Sequence, residues 1–221
     1  MSPEIAWLIV RATGQTLHMV AVAALIGSAL GIPLGVFLAT SGKGELFAAP
    51  FANRILGAVV NATRSTPFII LVVAIIPFTR LVAGTSIGTT AAIVPLTIAT
   101  VPFVARLVEA SIREVDPGLV ETARAMGATP LQIVWKVLLA EARPGITLAL
   151  TLTLVSLIGY SAMVGAVGGG GLGDLGIRYG YQRFMPDVMA VVVVVLIVLV
   201  QAIQSAGDRL ARRFDKRIRP R

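Results

Sequence analysis

Residues 188–207 read VMAVVVVVLIVLVQAIQSAG, twenty positions between Asp187 and Asp208 without a charge. At about 1.5 Å per residue a helix of that length spans about 30 Å, the thickness of a bilayer's hydrocarbon core. The run is continuously apolar and does not alternate, so it does not read as a strand of a membrane β-barrel. Three more runs are free of charge: Arg11 to Lys43, Arg80 to Arg106 and Arg143 to Asp174. A fifth, Ser65–Thr79, has only 15 residues. It crosses if Arg64 or Arg80 snorkels at an end, with its stem in the apolar zone and its head outside. The expected fold class is therefore all-α: a polytopic membrane protein with five transmembrane helices, near 16–40, 58–81, 86–108, 144–166 and 187–207.

Composition agrees. The chain has 221 residues, 56% hydrophobic and 14% charged, against about 45–50% and about 25% in soluble domains. Disorder is excluded by the same numbers, and the absence of cysteine excludes a disulfide scaffold or a cysteine metal site. A net charge of +8 first points to nucleic acid, but the positions give it another meaning. With the C-terminus in the cytoplasm, fifteen of the 19 basic residues fall inside: Lys43, Arg54, Arg64, Arg106, Arg113, Arg124, Lys136, Arg143 and seven from Arg209 to Arg221. Only Arg11, Arg80, Arg178 and Arg183 fall outside. The positive-inside rule then sets the N-terminus out and the C-terminus in, with the basic tail beside anionic lipid of a bacterial cytoplasmic membrane. The first run is about twice the length of a signal peptide's apolar region and follows Glu4, so it reads as a span. The expectation is one transmembrane domain over 1–221 and no nucleic-acid partner.

Gly27, Gly31 and Gly35 lie four apart and form one smooth helix face where another helix can come close. Pro33 is expected to kink that span, and Pro67, Pro77, Pro95 and Pro102 to interrupt the second and third. Between the third and fourth spans, residues 109–143 mix charges and carry clear capping signals. Asp116 before Pro117 suits an N-cap and first helical position, and Gly127 suits a left-handed stop. Thr129 and Gln132 suit a capping box. The second helix carries Ile133, Val134, Val137 and Leu138 on one stripe and Gln132 and Lys136 on another. This is a helix–turn–helix tipped by the small residues Ala123, Ala125, Gly127 and Ala128, a surface that lets a second protein approach closely.

Glu121-Thr122-Ala123, three residues, Gly127, nine residues, Val137, one residue and Leu139 resemble the "EAA" loop of ABC importer permeases. That pattern reads Glu-Ala-Ala, x3, Gly, x9, Ile, x, Leu-Pro. Thr122 replaces the middle Ala, Val137 the Ile, and Ala140 the Pro, with Pro144 close by. Arg64-Ser65-Thr66-Pro67-Phe68, Gly159-Tyr160-Ser161-Ala162-Met163 and Gly165-Ala166-Val167-Gly168 are similar to the methionine-importer permeases, and the likeness runs from about residue 12 to 215. It implies that Glu121, Thr122, Ala123, Ala125, Met126, Gly127 and Ala128 form a coupling helix seated in a groove of a separate ATPase. It further implies a permease homodimer, two ATP-binding subunits that hold the ATP and Mg, an extracytoplasmic substrate-binding lipoprotein, and import of methionine, often both stereoisomers. Another small solute within the same superfamily is the alternative.

The residues set the mechanism's limits. No Gly-x4-Gly-Lys-Ser/Thr phosphate loop occurs in the sequence, so no cofactor is expected in this chain. The single histidine, His18, is expected to be packed and hydrogen-bonded. With so little catalytic material the chain reads as a transport subunit and not an enzyme. Acidic residues fall in loops or at span edges, which argues against an ion-gradient carrier with a proton relay. The glycine-rich segment Gly165–Tyr181 cannot be helical throughout. It reads either as a plain flexible loop or as a re-entrant turn, and the resemblance implies the turn, docking an external binding protein with Asp174, Arg178 and Tyr181 available for contacts. Tyr160, Ser161 and Met163 mark the pathway, and Met163, flexible and polarizable, suits a gate. Five helices are few for a pore, so a twofold dimer with the path on its axis is expected.

Overall fold

The computed structural model describes residues 3–214, and every regular element among them is helical. In chain order these are α1 (Pro3–Thr40), α2 (Pro50–Ser65), α3 (Phe68–Ala74), α4 (Ile76–Ala83), α5 (Thr89–Arg113), α6 (Pro117–Ala125) and α7 (Pro130–Ile133). A π turn (Val134–Leu138) follows, then α8 (Leu139–Glu141), α9 (Arg143–Ala166), α10 (Gly171–Leu175), a second π turn (Gly176–Tyr181) and α11 (Pro186–Phe214). Lys216, Arg217, Arg219 and Arg221 of the expected basic tail lie outside the described residues.

Four helices are long and apolar enough to cross a membrane: α1, α5, α9 and α11. A fifth crossing exists only if α2 and α3 count as one span, bent by 102°. The second span, expected near 58–81 and interrupted at its prolines, is thus a broken one that begins earlier, at Pro50. The reason lies in Pro67. The residue before a proline is pushed out of the helical region, and Thr66 takes φ −79°, ψ 125°. Pro77 stands in the first turn of α4, which starts at Ile76. Pro95 and Pro102 differ from expectation, because α5 runs through both without interruption, and both are buried. Neighbouring helices support a proline inside a membrane helix where a lone helix would break. Helix α1 also continues through Pro33 and starts 13 residues earlier than expected, at Pro3. His18 stands on its exposed face instead of in a packed site.

Helices α1 and α5 form the centre. Gly27, Gly31 and Gly35 are all buried against α5. A Cβ on Gly31 would stand 2.8 Å from the Val101 carbonyl oxygen, and one on Gly35 2.5 Å from that of Ala105. The glycine face therefore lies in backbone contact, as its spacing predicts. Around this pair, Met19 and Leu96 meet Leu157 of α9 and Phe68 of α3. Val104, Val108 and Ile112 meet Ile133, Val134 and Leu138. Near the start of α1, Ile9 and Ala12 meet Leu172, Leu175, Val188 and Val192. Helix α11 presents Val194, Ile197 and Val198 outward, each more than half exposed, a face suited to lipid tails.

Gly31→Val is expected to force α1 and α5 apart and lower the thermal unfolding midpoint in detergent, by about 1–3 kcal/mol of overpacking. Gly14 is exposed, and nothing lies within 4 Å of a Cβ there. Gly14→Ala should instead be neutral or raise the midpoint slightly, by removing glycine's backbone entropy.

Candidate functional site

The loop after α5 folds as its caps direct. Asp116 accepts from the Gly118 amide at 2.8 Å, starting α6. At the other end the Ala128 amide donates to Ala123 O at 3.0 Å and the Gly127 amide to Arg124 O at 2.9 Å. This pair of bonds is a Schellman motif, and it needs the left-handed residue between them, which Gly127 supplies at φ +81°. Thr129 and Gln132 close the capping box in both directions.

The resulting turn exposes Glu121, Thr122, Ala125, Met126 and Gly127. Met126 is 77% exposed. Ala123 departs from the expected exposed tip. It is buried among Val104, Val108 and Ile133, and Ala128 packs against the same cluster. As the C3 and C″ positions of the motif, these two make its customary apolar contact, so their small size serves the turn itself. Two exposed residues were missed, Leu131 and Trp135. At ordinary helical spacing they share a face with Leu138, so periodicity did not set them apart; the π turn over Val134–Leu138 shifts that register.

The loop is tied to the spans by a buried carboxylate. Glu109, its side chain nine-tenths buried, meets Arg106 at 2.6 Å and Arg113 at 3.1 Å. Arg106 also donates to Gly57 O of α2 at 3.0 Å. Arg113 reaches Leu38 O near the end of α1 at 3.4 Å, which Asn53 of α2 also bonds at 2.8 Å. Cations and amide donors here satisfy carbonyls that the end of α1 leaves without helical partners.

The expected pathway residues divide. Tyr160 and Met163 line an open groove of about 430 Å³ with Arg64, Ser65, Thr66 and Phe68 at the α2–α3 break. Tyr160 stacks on Phe68 with ring centroids 4.5 Å apart. Ser161 does not join them. It is buried and donates to Ile158 O at 2.7 Å, turned back into α9.

The glycine-rich segment is neither a plain loop nor one helix. It doubles back on α9, with Gly165 against the backbone of Gly173 and Asp174, and Gly173 against Ala162. Its α10 amides are capped from another element: Gly171 N donates to Gln15 Oε1 at 3.1 Å and Leu172 N to Thr16 Oγ1 at 2.9 Å. Asp174 and Arg178 form an ion pair with each other, and Tyr181 is exposed. Asp174 and Arg178 line a cavity of about 570 Å³ with Arg11 and Gln15, which Tyr181 does not reach. Gln15, Thr16 and Arg11 lie inside or beside an apolar run, and no spacing in the sequence singles them out.

Residues 31–220 match the family model of binding-protein-dependent transport system inner membrane components. The chain belongs to that family. Among its relatives, the probable D-methionine transport system permease protein MetI of Vibrio cholerae is 62% identical over 210 residues, covering 95% of this chain and 93% of that one. The D-methionine transport system permease protein MetI of Escherichia coli K12 is 52% identical over 165 residues, 75% of this chain and 76% of that one. A chain of the inward-facing MetNI methionine ABC transporter superposes with a TM-score of 0.96 at 51% identity, covering 98% and 100%. An amino acid ABC transporter crystallised with histidines shares the fold, with a TM-score of 0.79 at 22% identity and 95% of each chain covered. In this inner membrane component the helix–turn–helix therefore sits within a known transport scaffold.

Two substitutions test the loop's construction. Gly127→Val places a β-branched residue in the left-handed region, at about 1–2 kcal/mol, and should speed hydrogen exchange at the Ala128 amide. Gly127→Asn should do so less. Glu109→Ala leaves two arginines facing each other and is expected to cost about 3 kcal/mol, read as a lower unfolding midpoint, while Glu109→Gln should cost less.

Proposed function

We propose that this permease imports methionine across the bacterial inner membrane by alternating access, driven by ATP that a separate partner subunit hydrolyses. The observation that carries the reading is near-complete superposition on a chain of the MetNI methionine transporter at 51% identity. The site geometry supports it. Met126, Leu131 and Trp135 are exposed apolar residues of the same short loop as exposed Glu121, and large apolar side chains left outside suit a protein contact. We assign it to the ATP-binding partner, with residues 109–143 as the coupling loop of one transmembrane unit spanning 1–221.

The rest of the assembly follows the same reading. The groove at Tyr160 and Met163 is open in the single chain, and a second copy related by a twofold axis would enclose it, with one ATP-binding subunit beneath each copy. Met163, 47% exposed, then meets its symmetry mate and closes the path. The glycine-rich end, with Arg178 and Tyr181 exposed, receives an external substrate-binding lipoprotein, and Asp174 holds Arg178 in place. The N-terminus lies outside and the C-terminus in the cytoplasm, which puts Lys43, Arg113 and Arg124, gathered around one cavity, on the positive-inside face.

Vesicles holding the full complex test this. Wild type is expected to accumulate methionine only with internal ATP and an external binding protein. Gly127→Val should lose co-purification with the ATPase and at least about tenfold in uptake, the scale of a lost 1.4 kcal/mol. Met163→Ala should raise basal leak. Uptake by the chain purified alone, driven by an ion gradient, would overturn the reading, and an unchanged leak in Met163→Ala would remove the gate.

A further inference from the structure

The groove at the α2–α3 break has an uneven chemistry that gating alone does not use. Its floor is formed by Ala99 and Phe103, midway along the 25 residues of α5. Arg64 lines the groove, exposed and without an acidic partner among the described residues. Beside it, the hydroxyls of Ser65 and Thr66 donate to Asn61 O at 2.9 Å and Ala62 O at 3.2 Å. Their protons are committed, so their oxygens serve only as acceptors here. They sit at the C-terminal end of α2, where the helix dipole favours positive charge. Phe68 and Tyr160, stacked on each other, give the same groove an aromatic wall, and Met163 lines it too.

An anion-binding fork, acceptors at a negative helix end and an apolar aromatic wall are the three partners of a zwitterionic amino acid with an apolar side chain. We propose that this groove is a transit subsite for the amino acid. Arg64 takes the α-carboxylate, the Ser65 and Thr66 oxygens take the ammonium, and the Phe68–Tyr160 wall takes the side chain. A thioether sulfur fits the edge of such rings, and about 430 Å³ lies within the range of small-molecule sites. Broken helices whose ends face a substrate near the bilayer's middle are a known solution in transporters. The subsite must bind weakly, because a passing solute has to leave. The inference rests on the methionine-import reading and names the residues that handle the substrate after it leaves the external protein.

The test uses the full chain co-expressed with its ATP-binding partner. In one arm, binding of tritiated L-methionine to the purified complex is measured without binding protein, with norleucine and methionine amide as competitors. Norleucine keeps the carboxylate and lacks the sulfur, and the amide lacks the carboxylate. Wild type should show weak saturable binding that norleucine displaces at least about tenfold better than the amide does, the scale of a charged hydrogen bond. Arg64→Gln should erase that preference and Arg64→Lys retain part of it. Tyr160→Leu should weaken methionine and norleucine alike, about fivefold. In the other arm, ATP-driven uptake by Arg64→Gln should fall in maximal rate while the half-saturating concentration, set outside by the binding protein, stays put.

Equal displacement by norleucine and the amide in wild type, no saturable binding at all, or an unchanged preference in Arg64→Gln overturns the subsite. The wild-type preference needs no variant, so a variant that fails to assemble leaves the question decidable. A wild-type complex that takes up no methionine overturns the import reading instead, a result distinct from uptake without a carboxylate preference.

Discussion

The backbone contact between α1 and α5 is the constraint on which the other elements depend. Inside a bilayer, apolar side chains gain little from leaving lipid for protein, so helices hold together by close packing and by hydrogen bonds. Gly27, Gly31 and Gly35 supply the closeness. Once α1 and α5 are set, α9 fills the angle between them through Leu157 and Ile158. Helix α2 is fixed where Val60 meets Leu38 and Ala105. Gly207 of α11 in turn packs onto Thr151 of α9.

The same pair explains how an exposed turn is joined to a buried bundle. Helix α5 ends at Arg113 and α6 begins at Pro117, so three residues connect them, and the middle one, Val115, is buried. The loop has little slack there. Glu109 anchors the junction from within, and through its two arginines it holds the loop's base to α1 and α2. A load placed on α6 therefore falls on a braced strut and not on a hinge. The π turn at Val134–Leu138 re-aims the returning segment so that Ile133, Val134 and Leu138 all reach one core.

Local rules written in the sequence survived into the structure where one element decides the outcome. Asp116, Gly127, Thr129 and Gln132 cap as their spacing directs, because a cap depends on four or five consecutive residues. The apolar runs likewise became helices, since a continuously apolar segment without alternation satisfies its own backbone in lipid by coiling. The departures arose where a second element intervened. Pro95 and Pro102 are carried by a helix that neighbours enclose, whereas Pro67 breaks one. Ala123 and Ser161 looked like surface and pathway residues by motif, yet packing turned them inward. The groove joins Arg64 to Met163, nearly a hundred positions apart in the sequence, and no periodicity can announce such a meeting.

The caps on α10 carry a consequence for biogenesis. The amides of Gly171 and Leu172 find their acceptors in Gln15 and Thr16, 156 positions upstream. A ribosome delivers the acceptors first and the donors late, so α1 must already stand in place as a template when the glycine-rich hairpin emerges. Five residues of helix are too few to persist unaided, and this hairpin has no finished form of its own. A helix delivered early thus completes a glycine-rich turn delivered late, and the order of synthesis is built into the hydrogen bonds.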